Sequence, residues 1–329
     1  MKLATMRTSA RDGELIVVSR DLRRAVAADG IASTLQAALD DWDAAAPRLQ
    51  ALQQQLETGS VPHAFDLDMN KLAAPLPRAY AWIDSSVYLN HMELARKLRG
   101  VKPPEGYKEI PTMSNGVCHT FLGARDTLQL PPGDVGLDIE GEYAAILGDV
   151  PARTPREQAG KYIRLFILVN DSTLRTVFAE QVAKGYGNYQ GKLLVTMSPV
   201  AVTPDELGTA WDGAKLSLPL ECRINDRVLG MPNTGVDMYF DFPTIISRAT
   251  TMRGLPAGTV LGSGTISNHD RAAGFACIAE QRMVETIEHG KPRTEYLKPG
   301  DRVSIEMKDA DGHSIFGSIR QTVGEPGVA

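Results

Sequence analysis

The chain is short of cysteine, of long apolar runs and of charge imbalance, and each shortage closes a route. Three cysteines, Cys118, Cys222 and Cys277, stand far apart in 329 residues. An odd, widely spaced set builds neither a disulfide framework nor a zinc cluster, and it fits a reducing compartment. No stretch approaches the roughly 20 consecutive apolar residues that span a bilayer, and Met1 to Arg7 lack the apolar centre of a secretory signal. The expectation is a soluble cytoplasmic protein with no membrane partner. A formal net charge of −5 and the lack of a long basic cluster argue against a nucleic-acid partner. No glycine-rich phosphate loop opens a helix, and neither repeats nor low-complexity tracts occur. What is present is the composition of an ordinary globular protein, 43% apolar and 23% charged.

Along the chain, Lys2 to Arg7, Glu14 to Val18 and Arg24 to Ala27 read as short strands between turn signals. From Thr34 to Leu56 the apolar spacing becomes helical, with Pro47 breaking the run. Residues 57–80, rich in Gly, Ser and Pro, read as a connection. Beyond it, strand-like runs dominate, at Tyr143–Leu147, Leu165–Val169, Leu216–Ile224, Thr259–Gly262 and Val303–Met307. Helical patterns fall only near 85–98, 172–184 and 241–252. Helices do not alternate with strands, so a doubly wound parallel sheet is not expected.

The chemistry gathers in Gly136–Gly148. Glu140 and Glu142 stand two apart in a strand-like run, so both side chains point to one face. Adjacent carboxylates repel, and burying either unpaired is costly, which calls for a cation between them. Asp171, after the apolar run Leu165–Asn170, and Asp84, in Trp82–Ser86, both precede helical patterns. Each is either a further ligand or a helix N-cap. Asp84, Glu140, Glu142 and Asp171 form an all-oxygen set suited to Mg²⁺, with Mn²⁺ or Ca²⁺ next, over Zn²⁺. His91 lies seven residues, two helical turns, after Asp84 and is the candidate general base. Glu280, in the apolar run that starts at Phe275, is either a solvent-facing strand residue or the carboxylate that holds the His91 tautomer. Arg175 and Lys192 flank Asp171, as surface charges or as site cations. Asp66 and Asp68 imitate a second acidic pair but read as solvated.

These residues, in this order, resemble the fumarylacetoacetate hydrolase family. Asp84 and His91 are similar to its first metal ligand and catalytic histidine, and Asp138-Ile139-Glu140-Gly141-Glu142 to its paired-glutamate strand. Asn170 to Arg175 resembles its Asn-Asp-x-x-x-Arg segment, and Gly191-Lys192 before Ser198-Pro199 its lysine and following strand. Asn233-Thr234, Phe240 to Pro243 and Gly262 to Ser267 match further stretches, and Glu280 falls where the family places the histidine-orienting glutamate. The resemblance implies an α+β, mainly β architecture. A mixed β-sandwich roll of the fumarylacetoacetase C-terminal type would cover 76–325, after a small N-terminal β/α domain and linker over 1–75. It also implies a homodimer, catalytic roles for His91, Glu280, Lys192 and Arg175, and substrate contacts from Arg175, Lys192 and Thr265. The implied reaction is metal-dependent hydrolysis of a carbon–carbon bond in a 1,3-dicarbonyl acid. Fumarylacetoacetate, an intermediate of aromatic amino-acid breakdown, leads the substrates. The alternatives are a 2-oxo acid decarboxylase, isomerase or hydratase on the same scaffold, or a non-catalytic metal-dependent binding protein. One departure stands out: Phe178 occupies the place where members near the namesake carry glutamine.

Overall fold

A computed structural model describes residues 1–327. Strands β1 (Lys2–Met6), β2 (Glu14–Val18) and β3 (Arg24–Ala27) form an antiparallel meander, with β4 (Phe65–Asp66) on its edge. Helices α1 (Leu35–Asp40) and α2 (Trp42–Glu57) follow β3. The helical run breaks at Asp41 and not at Pro47, which lies inside α2. As the sixth residue of α2, Pro47 costs the helix one backbone hydrogen bond, and buried Ala45, Leu49, Gln53 and Leu56 hold α2 in place despite it.

The remainder supplies β5 (Trp82–Ser85), α3 (Leu89–Arg99), β6 (Met113–Asn115), β7 (Leu137–Asp138), β8 (Gly141–Leu147), α4 (Arg156–Ala159) and β9 (Ile163–Asn170). Next come β10 (Thr173–Leu174), α5 (Arg175–Ala183), β11 (Thr196–Met197), β12 (Ala201–Val202), β13 (Leu220–Ile224) and β14 (Arg227–Gly230). The last elements are α6 (Phe242–Ala249), β15 (Val260–Gly262), α7 (Ile278–His289), β16 (Arg302–Met307) and β17 (Ile319–Thr322). The architecture is mixed α and β, mostly sheet. One large mixed sheet runs β4-β3-β2-β1-β12-β9-β8-β15-β5-β6, with β11 also paired to β9, and a second sheet runs β14-β13-β16-β17. Lys2 pairs with Val202, so the N-terminal strands extend the same sheet as the rest.

Both faces of the sheet centre are covered. On β8 and β9, Tyr143, Ala145, Phe166 and Leu168 join a core with Leu220, Val303 and Ile305 of the second sheet and Phe242 of α6. Their neighbours Ala144, Ile146, Leu165 and Ile167 face a second core shared with Leu35, Leu39, Leu49 and Leu56 of α1 and α2. That is why β8 and β9 read as continuous apolar runs and not as alternating ones.

Glu280 corrects the strand reading. It sits in the first turn of α7, capped by the Cys277 side chain and closed by Gly290 in the left-handed region. A cysteine cap and a narrow buried stripe, in a segment rich in charged residues, conceal the helical period. Among the described residues, no helix is long and apolar enough to cross a membrane.

Strand directions fix the site. β15 pairs antiparallel with β8 and parallel with β5, placing Gly262 beside both Ala144 and Asp84. β8 and β9 are antiparallel, with Gly141 opposite Asn170. The end of β5, the start of β8, the end of β9 and the end of β15 therefore meet at one rim.

Candidate active site

Asp84, Glu142 and Asp171 converge at that rim, and one ligand oxygen of each lies within 4.8 Å of the others. Asp84 Oδ1, Glu142 Oε1 and Asp171 Oδ1 are buried without a hydrogen-bond partner. Burial pushes the Asp84 carboxyl up to about 8; Lys192 pulls it down, while Asp171 and Glu140 add to the rise. Burial also raises Glu142 well above the carboxylate range, helped by Asp84, Asp171 and Glu140. Asp171 is raised by burial too, against the pull of Lys192. Three orphaned carboxylate oxygens at one point are what a hard divalent cation satisfies, so the residues present fit such an ion. Neither aspartate caps a helix: α3 starts after Tyr88, and α5 after Leu174.

Glu142 is also held from the sheet, because its Oε2 accepts from the Gly264 amide at 3.1 Å. Gly264 has φ +78°, and a Cβ there would stand 2.1 Å from the Ser85 carbonyl oxygen. Only glycine fits both the left-handed turn and that approach.

Glu140 takes a different position. It lies in the break between β7 and β8 and accepts from Arg175 Nη2 at 2.8 Å and Lys192 Nζ at 2.6 Å. Thr173 Oγ1 adds a third bond at 3.1 Å. Burial works to raise its pKa, but Lys192 and Arg175 outweigh it and hold Glu140 below the usual carboxylate range. Lys192 Nζ also reaches Asp171 Oδ2 at 2.7 Å, so it links Glu140 to the three-carboxylate cluster. Burial would lower the lysine, yet Asp171 and Glu140 prevail and keep it charged.

Across the cavity, His91 Nδ1 is 2.8 Å from Glu280 Oε2. Glu280 is 1% exposed and His91 lines the opening. Ser267 Oγ donates to the other Glu280 oxygen at 2.8 Å, and Asn90 Nδ2 donates to Ser267 at 2.8 Å. The dyad is thus held from behind, leaving Nε2 as the ring atom that can take a proton. The cavity between dyad and carboxylates measures about 850 Å³, and Thr265 lies on its wall beside Gly264.

Asp138 is a residue that the sequence reading passed over. Fully buried, it accepts from the amides of Ile278 at 2.7 Å and Ala279 at 2.9 Å, and from Arg175 Nε at 2.8 Å. It fastens the start of α7, and with it Glu280, to the start of α5. Its signal was present in the alternation of Asp138, Glu140 and Glu142. Ser267 stood in the sequence only as the last residue of the family-like Gly262–Ser267 stretch, with no role attached to it. Asp68 caps a single turn at Met69–Lys71 and takes no part in the site.

The family described as fumarylacetoacetate (FAA) hydrolase C-terminal matches residues 82–324, and fumarylacetoacetase N-terminal domain 2 matches residues 1–78. An uncharacterized protein of Pyrococcus abyssi is 28% identical over 179 residues, 54% of this chain and 74% of that protein. An oxaloacetate tautomerase of Bacillus subtilis is 28% identical over 171 residues, 52% of this chain but only 48% of the relative. Among solved structures, maleylpyruvate hydrolase from Sphingobium sp. SYK-6, in complex with manganese(II) and pyruvate, superposes with a TM-score of 0.65 at 17% identity, covering 98% of this chain and 99% of that one. A structure described as a probable 2-hydroxyhepta-2,4-diene-1,7-dioate isomerase from Mycobacterium abscessus gives 0.65 at 21% identity and 98% of both chains. At such identities the structural likenesses establish the fold, while the match over 82–324 establishes descent: this chain belongs to the fumarylacetoacetate hydrolase family.

Proposed function

We propose that the protein is a divalent-metal-dependent hydrolase that cleaves a carbon–carbon bond in a 1,3-dicarbonyl acid. The observation that carries this reading is the His91–Glu280 pair, at 2.8 Å and anchored by Ser267, facing the unsatisfied oxygens of Asp84, Glu142 and Asp171. Glu140 is joined to this group through Lys192, which donates to both Glu140 and Asp171. Bound there, Mg²⁺ or Mn²⁺ would supply Lewis-acid polarisation of the dicarbonyl oxygens. His91 removes a proton from water as its oxygen bonds to the acyl carbon, and Glu280 stabilises the imidazolium. The carbon–carbon bond then breaks, and the departing carbon takes up a proton. Lys192 and Arg175 present positive charge to substrate oxygens, and Thr265 offers a hydroxyl for a substrate carboxylate. The maleylpyruvate hydrolase of the same fold, solved with manganese and pyruvate, supports a 2-oxo acid as one half of the substrate. The reading includes a homodimer, which light scattering tests.

The oxaloacetate tautomerase among the relatives favours a second reading, in which His91 moves a proton at the carbon beside a 2-oxo group. One assay separates the two. Metal-loaded and EDTA-treated protein is given fumarylacetoacetate or acetylpyruvate, and dicarbonyl absorbance and products are followed. Metal-dependent release of two acids supports hydrolysis. Acceleration of oxaloacetate keto–enol exchange without cleavage of either dicarbonyl would transfer the assignment to tautomerisation.

A further inference from the structure

The far end of the cavity is built differently from the metal end. Helix α3 contributes Met92 and Leu98, α5 contributes Phe178 and Val182 one turn apart, and α7 and its following loop contribute Met283 and Tyr296. None of the residues of α5 is buried, although it carries Val177, Phe178 and Val182. Leu98 and Val182 remain 44% and 40% exposed. An apolar helix face left uncovered, and continuous with a catalytic cavity, is surface that a ligand covers.

Charge points the same way. Arg175 is engaged by Asp138 and Glu140, and Lys192 by Glu140 and Asp171. Of the described residues lining the cavity, the remaining cation besides His91 is Arg282. It donates to the Thr294 carbonyl and lies over the Tyr296 ring, 4.3 Å from its centroid. A negatively charged group at the far end would meet apolar side chains and one arginine that is already stacked and bonded. An uncharged chain would cover α5 with no polar group left unpaired.

We propose that the acyl half of the substrate carries an uncharged alkyl or aryl group, seated on Phe178 and Val182 between α3 and α7. The inference rests on the 2-oxo acid reading above and narrows it, placing carboxylate-tipped acyl groups such as fumaryl among the poorer substrates. Phe178 is the residue that sets this preference. Its backbone and ring edge lie close to Gly191, where a Cβ would come within 2.8 Å of the Phe178 Cα, so the wall of α5 is fixed against the loop that carries Lys192.

The test is calorimetric and independent of turnover. Mn²⁺-loaded protein is titrated with straight-chain 2-oxo acids from 2-oxobutyrate to 2-oxooctanoate, and with 2-oxoglutarate and 2-oxoadipate. The expected Kd falls about threefold per added methylene, and 2-oxoadipate binds at least about tenfold more weakly than 2-oxohexanoate. Phe178→Gln should flatten the chain-length dependence, with 2-oxooctanoate losing more affinity than 2-oxobutyrate. Val182→Gln, on the exposed rim, serves the same purpose if the first variant does not fold. Equal or tighter binding of the dicarboxylates, or no dependence on length, overturns the inference. The same acids as 2,4-dioxo derivatives report cleavage separately. Chain-length-dependent binding without cleavage rejects the hydrolase reading and keeps this one. Cleavage indifferent to the acyl tip does the reverse, and no binding by any acid rejects both.

Discussion

Lys192 donates to Glu140 and Asp171 at 2.6 and 2.7 Å, so two of the four site carboxylates are compensated within the chain, whereas Asp84 and Glu142 have no ion-pair partner among the described residues. The sign of the pH dependence follows. The Asp84 carboxyl is raised to about 8 in the fold, above its ordinary value of 3.8. The folded state therefore holds a proton that the unfolded chain has released. Stability of the metal-free protein is greatest below the unfolded value and falls as pH rises toward about 8. Thermal melts across that range should show the decline, and saturating Mn²⁺ should suppress it. Asp84→Asn should stabilise the metal-free protein at the alkaline end by on the order of 1 kcal/mol, read as a higher melting temperature, and abolish the metal-induced rise. An unchanged metal response in that variant would remove Asp84 from the ligand set. His91 separates from the metal in the same experiment. His91→Ala should retain the metal-induced melting shift and lose roughly 10²–10⁴ in turnover; parental turnover in the metal-loaded variant would exclude His91 as the base.

At the scale of elements, the apolar runs of β8 and β9 were readable because both faces are buried, and their acidic ends stood out against them. Helix α7 was not readable. Its cap is Cys277, its buried residues are Ile278, Ala279, Glu280 and Val284, and a glutamate within the buried face defeats an apolar-period search. Only the fold shows why Glu280 is tolerated there, with His91 and Ser267 accounting for its two oxygens. The start of α7 depends in turn on Asp138, which satisfies two orphan amides of the first turn and one edge of Arg175. Removing that carboxylate leaves the amides without an acceptor and a largely covered guanidinium with Glu140 alone. Asp138→Ala is expected to lose about 3–5 kcal/mol of stability, measured by denaturant melts. At temperatures where the variant is folded, activity should fall, because Glu280 no longer fixes His91. A variant with parental stability would mean that α7 is anchored elsewhere.

For the whole molecule, the site could be listed from the sequence but not assembled from it. Asp84, Glu142 and Asp171 meet because β5, β15, β8 and β9 are neighbours, and that order rests on pairings between strands up to about 180 residues apart. The N-terminal strands show the same long-range logic. They continue the central sheet through the Lys2–Val202 pairing, and α1 and α2 cover one face of β8 and β9. Removing residues 1–79 would open the β12 edge and strip Leu35, Leu39, Leu49 and Leu56 from the core that holds Ala144, Ile146, Leu165 and Ile167. Those last residues belong to the strands whose ends carry Glu142 and Asp171, so the damage would reach the metal ligands. An unprotected edge beside a newly exposed apolar face is a template for aggregation. The fragment 80–329 is therefore expected to elute as aggregates on size exclusion and to bind a hydrophobic dye. Any soluble fraction should lack the Mn²⁺-induced melting shift of the full chain. A monodisperse fragment with a parental metal response would show instead that β5 to β17 fold as a self-sufficient unit and that the N-terminal strands only decorate its edge.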